Sequence, residues 1–163
     1  MILAFITAAV MIAESISVPV QPMFSVSDDV AAAVHDIRAD FGGEVYPENY
    51  GGFYYADNRQ TVVLCCTGET KEYTELSREH PCIRLEQVNY SLNELYRFLS
   101  SAEELLAQMG LGESSVCVSE EHNALFVEFP EGQHTLENIC AVRRAAGELP
   151  LVFGVRRHTA VLL

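Results

Sequence analysis

The chain has 163 residues, 49% of them apolar, and a formal charge of −13 from 23 acidic and 10 basic side chains. That is enough apolar material for a packed core in a single domain. The acidity excludes a nucleic-acid surface or an anionic-lipid surface, both of which need clustered Lys and Arg. Its simplest role is solubility, and it also permits attraction to a basic protein partner.

In chain order, residues 1–13 (MILAFITAAVMIA) are uncharged and almost wholly apolar. The run is too short for a stable membrane span, which takes about 20 residues. It has the length of a secretory signal core, with small residues at Ser15 and Ser17 but no Lys or Arg ahead of it. The expectation is a signal-like segment and proline linker over residues 1–23, a secreted or exported protein, and one domain over residues 24–163. Ser27 is placed to cap a helix through Phe41, with Val30, Val34, Ile37 and Phe41 at helical spacing. Residues 53–55 and 61–67 read as a strand pair around a polar turn. A short helix is predicted over residues 71–79, ended by Pro81, and a strand over residues 83–90. Ser91 with Glu94 forms a capping box. It opens a long amphipathic helix through Leu92, Leu95, Tyr96, Leu99, Ala102, Leu106 and Met109 to about Gly110. Residues 115–119 and 124–129 read as a second strand pair, Thr135 as the cap of a further helix, and residues 149–155 as a last strand. The chain shows no internal sequence repeat. Strand pairs separated by helices predict an α+β, two-layer sandwich with an antiparallel or mixed sheet.

Motifs that carry chemistry are missing. There is no G-x-S-x-G or G-D-S-G around a serine, no H-E-x-x-H, no phosphate loop and no dinucleotide fingerprint. His80 and Cys82 flank Pro81 as two potential metal ligands, where a structural zinc takes four. No Cys–His pair stands out as a nucleophilic dyad. Glu103-Glu104 and Glu120-Glu121 read as solvated edges rather than acid/base pairs. The five cysteines are Cys65, Cys66, Cys82, Cys117 and Cys140, an odd number with no C-x-x-C spacing. In a strand, Cys65 and Cys66 point to opposite faces, one expected in the core and the other toward a partner or solvent. Tyr46, Tyr50, Phe53, Tyr54 and Tyr55 form an aromatic cluster. It either packs on the core with its hydroxyls at the rim or presents a patch to a protein. The sequence points to no enzyme, cofactor or metal.

Three stretches resemble the pro-region of secreted serine proteases of the alpha-lytic protease and streptogrisin type. They are residues 41–63 (FGGEVYPENYGGFYYADNRQTVV), residues 88–95 (VNYSLNEL) and residues 121–127 (EHNALFV). The resemblance covers residues 27–129 and extends toward Val155. It implies a pro-domain that binds a chymotrypsin-like serine protease as folding assistant and inhibitor. In that family a sheet edge takes a hairpin of the protease by strand addition, and the C-terminal tail lies in the active site like a product. The matching tail here is residues 157–163 (RHTAVLL). The partner-binding residues expected on this basis, together with the aromatic strand, are Tyr54, Tyr55, Thr159, Ala160, Val161, Leu162 and Leu163. The chain stops where the protease of such a precursor would begin, which leaves three expectations: an inhibitor or foldase acting in trans, a remnant of a truncated gene, or a domain reused with an unrelated partner. The alternative is an interaction or structural module of the cell envelope that keeps only the fold.

Overall fold

The structure, a computed structural model, describes residues 26–43, 45–68 and 71–155. The signal-like segment, the proline linker and the tail residues Thr159, Ala160, Val161, Leu162 and Leu163 lie outside that range. The described chain is α+β, with the elements in the expected order. They are α1 (Asp28–Phe41), β1 (Tyr50–Ala56), β2 (Thr61–Cys66), α2 (Lys71–Glu79) and β3 (Ile83–Gln87). Then come α3 (Leu92–Gln108), β4 (Ser115–Ser119), β5 (Ala124–Phe129), α4 (Leu136–Ala146) and β6 (Leu151–Val155).

The strands form two three-stranded mixed sheets instead of one, ordered β1-β2-β3 and β4-β5-β6. In the first, β1 runs antiparallel to β2 and β3 parallel to it. In the second, β4 runs antiparallel to β5 and β6 parallel to it. The order helix, strand, strand, helix, strand therefore occurs twice, although the sequence carries no repeat. Topology depends on apolar period and turn position, which many different residues satisfy.

Caps set the helix starts. Ser27 accepts the Val30 N–H and Ser91 accepts the Glu94 N–H, each at 3.4 Å. Glu94 closes the capping box by accepting the Ser91 N–H at 2.8 Å. Thr135 caps α4 through the Asn138 N–H. The apolar stripe of α1 (Val30, Ala33, Val34, Ile37, Phe41) packs with Val62, Leu64 and Cys66 of β2, beside Tyr73 and Leu76 of α2. Leu106 of α3 and Val142 of α4 pack with Val127 and Phe129 of β5. Leu95 and Ala102 pack with Leu125 of the same strand. Leu92, the first residue of α3, belongs to the first core.

Two strands are shorter than the apolar pattern predicts. β3 stops at Gln87: the Val88 N–H still donates to the Cys66 carbonyl at 2.9 Å, and the Asn123 side chain then captures the backbone of Asn89 and Tyr90. Its Oδ1 accepts the Asn89 and Tyr90 N–H groups at 3.0 and 2.9 Å, and its Nδ2 donates to the Tyr90 carbonyl at 2.7 Å. β6 begins at Leu151, just after Pro150, which has no N–H to pair. Among the described residues no helix is long and apolar enough to cross a membrane.

Candidate binding edge and the junction behind it

Tyr54 and Tyr55 do not share a surface. Tyr54 lies opposite Val63 on one face of the first sheet, and its hydroxyl donates to the Glu86 carboxylate at 3.0 Å. Tyr55 is on the helix-bearing face, 40% exposed, with its ring edge-on to Phe53. The rest of the aromatic cluster is packing. Tyr50 is buried, stacked on Phe41 at 5.5 Å and next to Tyr46. Burial, with the Glu120 carboxylate nearby, pushes its hydroxyl well above the usual tyrosine range.

The vicinal cysteines correct another expectation. Cys66 faces the helices, but Cys65 is equally buried on the opposite face. Gly51 packs tightly enough against the Val88 and Cys65 side chains that a Cβ there would overlap Val88. Burial pushes the Cys65 thiol up to about 12, so it does not face solvent as a thiolate. His80 is bound to the Asp36 carboxylate at 2.9 Å, and the Cys82 thiol reaches the Asp29 carbonyl at 3.6 Å. The two side chains thus turn to different partners.

Glu120 is not a solvated edge. It follows β4 and reaches across to the first unit, where its carboxylate accepts the Phe53 N–H. The approach needs Gly52, whose φ is +94° and where any Cβ would overlap that carboxylate. The β1 register slips at this point, between Tyr50 and Gly52. Arg38, Gly42, Tyr46, Tyr50, Phe53, Leu92 and Glu120 line a cleft of about 350 Å³ here. Burial raises the Glu120 carboxyl above its ordinary value, and the Phe53 N–H and the Arg38 guanidinium pull it partly back. The adjacent Asn123, at φ +45°, makes the second tie to the first unit. So VNYSLNEL and EHNALFV, far apart in sequence, meet at one junction. Sequence reading missed this junction; Gly51-Gly52 in the middle of an aromatic strand was the available signal.

The four outer strand edges are managed differently. Edges with unpaired N–H and C=O groups invite pairing and are normally blunted. β1 has its slipped register and the Glu120 carboxylate on Phe53. β3 (IRLEQ) carries Arg84 and Glu86. β4 (SVCVS) is short, begins and ends in serine, and contacts α3. β6 (LVFGV) is as short as β4 and, like it, uncharged, but it has no slipped register and no serine ends; its five residues are all partly exposed, with Val155 at 42%. The Leu125 N–H donates to the Pro150 carbonyl at 2.7 Å. By parallel alternation, Val152 and Gly154 then bond to β5, and the backbone groups of Leu151, Phe153 and Val155 face the outer edge. No described strand pairs with that edge. The Phe126 ring covers Gly154, where a Cβ would overlap it. On the helix side, Phe153 stacks on Phe129 at 5.8 Å. An edge of this kind can accept an extended segment, with backbone bonds giving affinity and side chains giving selectivity. No protein-family model and no curated protein matches the chain.

Proposed function

We propose that the chain is a non-catalytic binding domain of the protease pro-region type. It takes an extended strand or hairpin of a chymotrypsin-like serine protease along the outer edge of β6, as folding assistant and inhibitor. The observation that carries the reading is the outer edge of β6, which has no charge and no slipped register and which no described strand pairs. The pro-region resemblance of VNYSLNEL, EHNALFV and the aromatic hairpin supports the choice of partner.

The test uses the full chain with a bacterial chymotrypsin-like protease. Refolding yield of the denatured protease and residual activity of the native one are measured with the chain at micromolar concentration. The expected result is a higher yield and inhibition, both lost in Val155→Pro. Proline removes an outward N–H and is tolerated on an edge strand, so the variant should stay folded. Neither effect at that concentration removes this partner, and a fully active Val155→Pro removes β6 as the docking edge.

A further inference from the structure

The charge beside β6 is mixed: Glu148 precedes the strand and Glu128 lies opposite Gly154 on β5. The chain is strongly acidic. Yet α4, the helix leading into β6, ends on Arg143 and Arg144. Arg144 has an ordinary role, since a cation in the last turn complements the helix dipole. Arg143 is turned to the strand instead: its guanidinium carbon lies 5.2 Å from the centre of the Phe153 ring. Phe153 is one of the β6 residues whose backbone faces outward. Both arginines are exposed, and neither forms an ion pair with a described carboxylate. No Asp or Glu occurs within β6. The edge thus offers an apolar strand, open backbone groups and an unneutralised guanidinium at one point along it.

We infer that the segment added to β6 is acidic: an extended, apolar strand with a carboxylate, from an Asp or Glu side chain, placed to meet Arg143. This rests on the strand-addition reading above and names the chemistry of the partner. The guanidinium supplies selectivity, because a planar fork already held against a ring meets a carboxylate with little further ordering. The strand pairing supplies the bulk of the affinity. A basic strand is disfavoured by the two arginines, despite the attraction a basic partner would feel toward the molecule at long range.

The experiment uses the full chain and three labelled peptides of one alternating Val/Thr pattern, differing only in a pair of positions filled by Glu, Gln or Lys. Binding is read by fluorescence anisotropy at low and at high salt. The Glu peptide should bind about fivefold tighter than the Gln peptide, the Lys peptide weakest, and the Glu preference should shrink in high salt. Arg143→Gln should erase the Glu-over-Gln preference; Arg143→Lys should keep part of it. Circular dichroism checks that both variants are folded, and Arg144→Gln supplies a second charge deletion that leaves the ring stacking intact. Equal binding of the Glu and Gln peptides, with both lost in Val155→Pro, overturns the acidic partner and leaves strand addition standing. A preference for the Lys peptide overturns it as well. No binding of any peptide, or binding indifferent to Val155→Pro, overturns both readings.

Discussion

The two units share a topology and differ in how their central strands are covered. In β2, Val62 to Cys66 are all buried, so both faces of the strand are sealed. In β5 burial alternates: Leu125, Val127 and Phe129 are inside, while Phe126 and Glu128 are half exposed. The equivalent helices differ less: α1 buries five residues and α3 four, α2 two and α4 Val142 alone, with Leu136 77% exposed. The sequences explain why. TVVLCC is apolar nearly throughout, the pattern of a strand covered on both faces, and ALFVEF places a glutamate on its outer face. A sealed unit has little free surface, and a one-sided unit leaves one face of its sheet open to solvent.

The largest expected effect is in the sealed unit. Leu64→Ala should cost about 3 kcal/mol of unfolding free energy, while Leu136→Ala should stay within about 0.5 kcal/mol. Urea denaturation of both variants compares the units directly, and similar losses would erase the distinction. Next is the tie between them. Asn123→Ala removes three hydrogen bonds and forces alanine to φ +45°, so about 2 kcal/mol should be lost. Asn123→Gly relieves the backbone part only, and a smaller loss there, by the same titration, separates strain from bonding.

Glu120 gives a pH signature of the junction. Its carboxyl holds a proton more tightly folded than unfolded, because its folded value lies above the ordinary 4.5. Stability therefore declines as pH rises from the unfolded value through the folded one, and this contribution is constant beyond it. The difference in Tm between the native chain and Glu120→Gln should change as pH rises from the ordinary carboxyl value, and level off above the folded one. A constant difference means that the carboxylate is not strained at the junction. The smallest effect is in the β1–β2 turn, where Asp57, Asn58 and Arg59 have φ of 50°, 55° and 66°. Asn58→Gly should raise stability by about 0.5 kcal/mol, visible as a small rise in Tm.

Much of the fold was legible because its signals are local. Ser27, Ser91 and Thr135 announce their helices, and β2, β4 and β5 begin where the apolar runs begin. The division into two sheets was not legible, since it depends on which strand pairs with which. The junction was hidden for the same reason. Glu120 looks like any loop glutamate until its approach to Phe53 places it under the first unit. The guarding of edges is different again. The absence of charge in LVFGV was visible, but it acquires meaning only once β6 is known to be outermost.

Leu92 has a consequence for synthesis. It is the first residue of the second unit's long helix and a member of the first unit's core. On a ribosome the first unit lacks this closing side chain until α3 begins to emerge. The first turn of α3, capped by Ser91 and anchored by Leu92, then fixes one end of the helix before β4, β5 and β6 exist. The later strands are added to a helix already seated, and β6, the edge left open, is the last described strand to leave the ribosome.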